Sequence, residues 1–469
     1  MSDETVSILV FSDDKDKRAA VVNGVGLRAS KDTPRIEWVE AATGFGVRDA
    51  FDQEDFAVLI LDAEAKKEGG MSIAQDLLET REDVPPIIFL TARAQDEWLR
   101  HGLGSDRPDH PAGDRRRRAA RGSLMTQCEW APIIAALTAG QAVDYDQSYW
   151  LMDEVMSGEL GEARLASFLT AMAIKGATVA EIHGLADGMA HHATSVDLPS
   201  RALDIVGTGG DGYKTVNVST MSAIVLAAMG IPLVKHGNRA STSKSGSADV
   251  IEALGVNLNV DTDRLRAIFD EVGIAFLFAN KMHPSMRFAA PVRRALGFPT
   301  AFNVLGPLTN PAKVQACAVG SAKEDNARLM AGVYASRGCS ALVFRGATTG
   351  LDELTTADTN QVWIVSGGRV TPTDFDARDE LGMAASAIDD LAGGEASYNA
   401  AVARDVLSGG GSCAVRDAVA LNVGAGLDQP VTAQDFAPRM RVAVERAARA
   451  LADGTGARLV ERWAQVSNG

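Results

Sequence analysis

The sequence predicts an α/β protein in which a small helical subdomain joins a large α/β subdomain, with a partial doubly wound α/β segment in front. Three observations predict it. Short apolar runs separated by polar stretches fill residues 1 to about 95. Residues 129–195 are rich in Ala, Leu, Met and Glu at helical spacing. From Leu203 to about residue 465, short strands lead into glycine-rich turns and then helices. The expected spans are 1–100 for the incomplete α/β segment, 101–124 for a linker, 125–200 for the helical subdomain and 201–469 for the α/β subdomain. A chain of 469 residues is also long enough for two or three domains.

In the first segment, the runs Val6–Phe11, Ala57–Leu61 and Ile87–Leu90 read as buried parallel strands. Asp13 and Asp14 follow the first, Asp62 ends the second and Thr91 follows the third. In a parallel sheet these C-terminal ends form the ligand crevice, where three carboxylates could hold Mg²⁺. Residues 6–93 thus resemble a response-regulator receiver domain. The resemblance implies Mg²⁺ on the acidic pair, phosphate on Asp62 and a sensing role for Thr91. The family's lysine after a fifth strand is missing, since no lysine occurs between Lys67 and Lys175. Residues 101–123, with Arg115–Arg118 in a row and almost no apolar side chain, cannot build a core and are expected to form a solvated linker.

Beyond Met125, Ser148–Met156 and Glu162–Ile174 have the spacing of amphipathic helices. The formal net charge of −15 argues against a general nucleic-acid surface, so an anionic substrate needs local cations, backbone N–H groups or a metal. Four scattered cysteines, the absence of a signal peptide pattern and the absence of any run long enough to span a bilayer point to a cytoplasmic protein without a membrane partner.

The strongest chemical signal runs from Asp204 through the glycines at 207, 209, 210 and 212, then Thr215 and Asn217-Val-Ser-Thr220. A strand enters a turn whose glycines let backbone N–H groups approach an anion, and a helix follows from about Thr220. Ser219 and Thr220 are expected at the helix entrance, where hydroxyls cap and the dipole favours negative charge. A second strand, Ile231–Val234, leads to Lys235, His236, Gly237, Asn238 and Arg239, and then to a run of hydroxyls including Ser243 and Ser247. Lys235 offers a point charge for phosphate. His236 is either a general base or a structural histidine in a tight turn. After the strand Ala341–Phe344, Asp352 and Glu353 stand side by side in a turn, a fit for Mg²⁺ beside a polyphosphate. Arg293 has the planar fork that clamps a carboxylate.

GTGGD at 207–211, NVST at 217–220, KHGNR at 235–239, HP at 283–284, NVLGPLTNP at 303–311 and LDEL at 351–354 resemble the motifs of the anthranilate phosphoribosyltransferases, in order, from about residue 129 to the end. The resemblance implies the nucleoside phosphorylase and phosphoribosyltransferase type of fold, and a homodimer formed through the helical subdomain. It implies a phosphoribosyl pyrophosphate site at Gly207, Gly210, Asp211, Thr215, Asn217, Ser219 and Thr220, continued by Lys235 to Ser243 and by Ser247. Ser219, Asp352 and Glu353 would hold Mg²⁺. Gly207, Asn238 and Arg293 would contact anthranilate, with His283 and Pro284 lining its entry. Lys235, Asn238 and Arg293 would carry the catalysis. Two other readings use the same residues: a pyrimidine nucleoside phosphorylase-like enzyme, and a receiver-controlled binding protein without catalysis. The LDEL acids favour a metal-bound diphosphate over the first, and the intact set of motifs argues against the second.

Overall fold

The structure, a computed structural model, describes residues 5–27, 34–63, 65, 69–81, 84–90, 128–239, 244–427 and 432–469. The chain divides into two compact units, Met1–Thr126 and Gln127–Gly469. The stretch expected as a linker, Thr91, and Ser243 lie outside the described residues.

The first unit holds a four-stranded parallel sheet in the order β2-β1-β3-β4: β1 (Thr5–Phe11), β2 (Arg35–Ala41), β3 (Val58–Asp62) and β4 (Ile87–Leu90). Helices α1 (Lys15–Val25), α2 (Gly44–Gln53) and α3 (Gly70–Thr80) alternate with the strands. The three apolar runs are strands as expected. The edge strand β2, RIEWVEA, is half charged and carries no comparable apolar run. Leu9, Phe11, Leu59 and Leu61 form the core with Val47 of α2 and Ile73 and Leu77 of α3. The buried Asp62 carboxylate accepts Ser12 Oγ at 2.7 Å and Lys17 Nζ at 3.0 Å. Lys17 lies in α1, whose N-cap is Asp14. Two of the strand-end acids have local partners: Asp62 takes the Lys17 ammonium and Asp14 caps α1.

The second unit begins with four helices, α4 (Trp130–Thr138), α5 (Tyr145–Ser157), α6 (Glu162–Lys175) and α7 (Val179–His191). Capping boxes start two of them, Asp144 with Gln147 and Thr178 with Glu181. Helices α5 and α7 pack closely because Gly184 and Gly188 of α7 present no side chain to α5; a Cβ on Gly184 would lie 2.3 Å from the Tyr145 carbonyl.

A seven-stranded sheet follows, in the order β11-β10-β9-β8-β5-β6-β7. Strands β5 (Leu203–Gly207), β6 (Leu233–Gly237), β7 (Ile274–Phe278), β8 (Ala316–Gly320) and β9 (Ser340–Gly346) run parallel. The hairpin β10 (Asn360–Ser366) and β11 (Arg369–Phe375) adds two antiparallel strands at one end of the sheet, with β11 at the edge, that no motif in the sequence marks. Alternate residues of each strand feed two cores. Ala318 of β8 packs with the C-terminal helices, while Cys317 and Val319 pack with the helical subdomain. Every glycine-rich turn expected from the sequence leaves the C-terminal end of a parallel strand, so the turns gather along one edge.

Candidate active site

The turn after β5 contains four residues in the left-handed region, Gly209, Gly210 and Gly212 at φ 66°, 84° and 85° and Lys214 at 52°. Only glycine holds this conformation cheaply, which explains the density of glycines. Thr215 pairs with Ala392 in an isolated bridge that ends the turn. Helix α8 (Val218–Ala228) then begins, with Asn217 at the N-cap position but without a side-chain cap bond. The expectation that Ser219 and Thr220 cap this helix needs correction: both lie in its first turn, and Thr220 Oγ1 is buried without a hydrogen-bond partner among the described residues. Asn217 instead donates to Ser245 O at 3.3 Å and accepts Asn399 Nδ2 at 2.8 Å.

Asp352 and Glu353 lie between β9 and β10, almost fully buried against this turn. Asp352 Oδ2 accepts the Gly209 N–H at 2.7 Å, and Glu353 Oε1 accepts the Ser219 N–H at 3.2 Å. The acidic turn thus sits on the glycine turn and on the positive end of α8. Its floor is a pair of glycines in register on adjacent strands, Gly207 of β5 and Gly320 of β8. A Cβ on Gly207 would lie 2.5 Å from Asp352 Oδ2, and one on Gly320 would lie 1.7 Å from Asp352 O. No local signal in the sequence marks Gly320, because the backbone that passes over it comes from residue 352.

Burial raises Asp352 to about 7, with Asp211 adding like-charge repulsion, and holds Glu353 well above the usual carboxylate range, with Asp352 adding to it. Asp211 Oδ2 is also buried without a hydrogen-bond partner among the described residues. Adjacent oxygen donors whose negative charge is this poorly compensated match a hard divalent cation. Among the described residues, no group of three or more His, Cys, Asp or Glu side chains is arranged to hold a metal. Mg²⁺ takes one or two carboxylates and completes its shell with phosphate and water.

Lys235 is buried inside β6, beneath the turn. Its Nζ donates to Ser219 Oγ at 3.3 Å and to Ile205 O. Burial lowers its pKa, while Asp204 and Glu353 oppose the shift. Asp204, in β5, accepts Asn310 Nδ2 at 2.8 Å and His236 N–H at 3.2 Å; burial pushes it up to about 6, against the pull of Lys235. Asp204 adjoins the glycine motif and Asn310 stands inside NVLGPLTNP; a carboxylate in the apolar strand LDIVG is the signal that it has a partner inside.

His236 Nδ1 lies 3.1 Å from the Gly306 carbonyl, which can only accept, so Nδ1 carries the proton and Nε2 the lone pair. Nε2 has no partner among the described residues. His283 packs beside it, ring centres 5.0 Å apart. Burial lowers His236 to about 3, with His283 adding to the shift. Burial lowers His283 to about 4, with the Thr309 backbone opposing the shift. Both imidazoles are neutral near pH 7.

Arg293, half-buried in the short helix Ala290–Leu296, lies 5.0 Å over the Phe302 ring, and burial lowers its pKa. No carboxylate pairs with it among the described residues. Pro284 is exposed at the start of a 3-10 turn. A Cβ on Gly237 would lie 2.4 Å from Ser247 Oγ, and the Ser247 hydroxyl and Ala248 N–H both donate to Asn238 O. Asn238 Nδ2 reaches Asn280 Oδ1 at 3.3 Å. Arg239 pairs with Asp249 and Glu252 of the helix Ser247–Ala253 and stacks on Phe278, so it is engaged away from the glycine turn. Thr215, Gly210 and Asp211 stay on the glycine turn, where the sequence put them.

Comparison with known proteins gives this geometry a family. Residues 131–193 match the helical bundle domain of a glycosyl transferase family, and residues 199–457 match its α/β domain. The anthranilate phosphoribosyltransferase of Arthrobacter sp. (strain FB24) is 50% identical over 345 residues, which is 72% of this chain and 96% of the relative. That of Nocardioides sp. (strain ATCC BAA-499 / JS614) is also 50% identical, over 71% of this chain and 97% of its own. The crystal structure of anthranilate phosphoribosyltransferase from Thermus thermophilus superposes with a TM-score of 0.66 at 36% identity, covering 72% of this chain and 99% of that one. The Saccharomyces cerevisiae enzyme in complex with PRPP and Mg superposes with a TM-score of 0.63 at 25% identity, covering 73% and 99%. With both family domains present and half-identical relatives matched over nearly their whole length, the chain belongs to the anthranilate phosphoribosyltransferases, glycosyltransferases of tryptophan biosynthesis.

Proposed function

We propose that this chain transfers the phosphoribosyl group of phosphoribosyl pyrophosphate to the amine of anthranilate with Mg²⁺ held at Ser219, Asp352 and Glu353. The observation that carries the assignment is the seating of the acidic turn on the Gly209 and Ser219 N–H groups, which puts oxygen donors beside an anion-binding turn. In the reaction the bond from ribose C1 to pyrophosphate oxygen breaks, the bond from C1 to the anthranilate nitrogen forms, and the amine loses a proton. When bound, Mg²⁺ supplies charge stabilisation to the departing pyrophosphate. The residues of the chain do the rest. Gly207, Gly210, Asp211, Thr215 and Asn217 cradle the phosphates through backbone N–H groups and short side chains, with Thr220 and Ser247 around them. The buried Lys235 acts through Ser219 and Glu353, favouring the anionic form of the acidic turn. Asn238 and Arg293 hold anthranilate, Arg293 by its carboxylate, and His283 and Pro284 line the approach. With neutral imidazoles, His236 and His283 do not compete with Arg293 for that carboxylate.

A homodimer fits this reading. A groove of about 510 Å³ runs between α4 and α6, lined by Leu137, Ala166, Thr170, Ala171 and Ile174, and Ile174 is 82% exposed. An apolar face of that kind on a helical subdomain suits a second copy of the chain. A cytoplasmic setting agrees with free thiols at all four cysteines. Among the described residues no helix is long and apolar enough to cross a membrane.

The test is pyrophosphate release with anthranilate as acceptor, in wild type and in the double substitution Asp352→Asn, Glu353→Gln. The double variant should lose most activity and need far more Mg²⁺ for what remains. Unchanged Mg²⁺ dependence would remove these residues from the cation site.

A further inference from the structure

Residues remote in sequence hold the acidic turn in place. Leu354 follows Glu353, is fully buried, and lies in no helix or strand. One side chain takes both of its peptide groups. Asn422 Oδ1 accepts Leu354 N–H at 3.3 Å, and Asn422 Nδ2 donates to Leu354 O at 3.0 Å. Nδ2 also donates to Ala418 O at 2.9 Å, so both amide hydrogens are used and the orientation of the amide is settled. Asn422 has no solvent exposure and sits in the helix Cys413–Gly426, among Leu421, Val423 and Ala425 of the core. An amide in such a place destabilises the fold unless it is fully paired.

Asn360 repeats the arrangement one residue further on. Its Oδ1 accepts Thr355 N–H at 3.0 Å, and its Nδ2 donates to Thr355 O at 2.9 Å. On the other side, Asp358 accepts the N–H groups of Thr348 and Thr349 at 2.8 and 2.9 Å, and their hydroxyls at 3.1 and 2.9 Å. The segment that carries Asp352 and Glu353 is thus pinned at both ends. Two adjacent buried carboxylates repel each other, and their turn gains no support from a regular ladder. An amide that bridges the N–H and C=O of one residue acts as a substitute strand partner at the point where the turn would otherwise open.

We propose that Asn422 is a positioning residue for the acidic turn. By holding both peptide groups of Leu354, it sets the direction of the Asp352 and Glu353 carboxylates, and through them the affinity of the site for a divalent cation. This rests on the reading of Asp352 and Glu353 as cation ligands; Asn422 itself touches neither substrate nor metal.

The experiment uses the full chain with Asn422→Leu, which removes donor and acceptor, and Asn422→Asp, which keeps an acceptor and loses the donor. Mn²⁺ serves as the probe. Its free concentration is read by electron paramagnetic resonance with phosphoribosyl pyrophosphate present, and the binding to phosphoribosyl pyrophosphate alone is subtracted. Loss of an outer-shell partner typically weakens metal binding by about 10–100-fold. Both variants should weaken Mn²⁺ binding by about tenfold or more and raise the Mg²⁺ half-saturation of turnover, with the KM for anthranilate within about twofold of wild type. If the leucine variant does not fold, the aspartate variant carries the test. Wild-type Mn²⁺ binding in a folded variant overturns the proposal, even if kcat or thermal stability has dropped, because scaffolding alone would produce those losses. The double substitution Asp352→Asn, Glu353→Gln is measured in parallel. If it loses Mn²⁺ binding while the Asn422 variants retain it, this proposal alone falls. If it retains Mn²⁺ binding, the cation assignment fails and the proposal falls with it.

Discussion

At the residue scale, the candidate site holds the Asp352 and Glu353 carboxylates and the Arg293 guanidinium in separate places. The side we propose for the cation is built from carboxylates over a two-glycine floor, with a buried ammonium beneath them. The side we propose for the acceptor has neutral imidazoles and one guanidinium over the Phe302 ring. On the proposed reading, Arg293 is the partner of the anthranilate carboxylate. Arg293→Ala should raise the KM for anthranilate and leave that for phosphoribosyl pyrophosphate nearly unchanged. Truncating one member of a buried charge pair costs about 2–5 kcal/mol, roughly 30-fold or more in affinity. Steady-state kinetics with each substrate varied in turn gives the answer, and an unchanged anthranilate KM would take Arg293 out of the site.

At the scale of elements, the loop Gly306–Leu308 shows how separate parts fix one another. Its three successive carbonyls accept from His236 Nδ1, Tyr334 OH and Arg337 Nη1, at 3.1, 2.8 and 2.7 Å. Arg337 also pairs with Asp187 of α7 at 2.6 Å, tying the helical subdomain to the same loop. Charging the two histidines would work against this packing. Unfolded imidazole titrates near 6.5 and folded His283 at about 4. Between these values the unfolded chain binds more protons, so this group's contribution is complete above pH 6.5 and declines as pH falls toward 4. The slope is about 1.4 kcal/mol per pH unit at most. Asp204 and Asp352 act in the opposite sense, because their folded values are raised to about 6 and about 7. The informative quantity is thus the difference between wild type and His283→Gln. The drop in urea midpoint from about pH 7 to about pH 5, relative to wild type, should be smaller in the variant. An equal drop in both proteins would show that His283 is not held neutral by burial.

At the scale of the whole molecule, the residues proposed for the transferase site all lie in the second unit. Every assigned residue lies beyond position 200, and the family matches fall at 131–193 and 199–457. The first unit has its own sheet and core, and its buried Asp62 already holds Lys17. A chain from Met125 to Gly469 should therefore fold and keep the kcat and both KM values of the full protein. Insolubility or loss of most turnover would make the first unit structural. A severalfold rise would make it an inhibitor.

Some of this was legible in the sequence because it is local. Glycine spacing reports left-handed turns, apolar runs report strands, and the order of six motifs reports a family, since each depends on residues close together in the chain. That much determined the helical and α/β subdomains, the glycine turn and the acidic pair. What only the tertiary structure decided depends on contacts between distant segments. Nothing near Gly320 says that the backbone of Asp352 will cross it, and nothing near Asn422 says that its amide will pair with Leu354. The polar edge strand β2 escaped for the same reason, being defined by its neighbours in the sheet rather than by its own apolar pattern; β10 carries an apolar run, Val362–Val365, but its antiparallel pairing depends on its neighbours. Lys235 shows the division within one residue. Its place in KHGNR marked it as a cation near phosphate, but only the fold put it beneath the site, between Asp204 and Glu353, where burial turns a surface-type charge into an interior counter-ion.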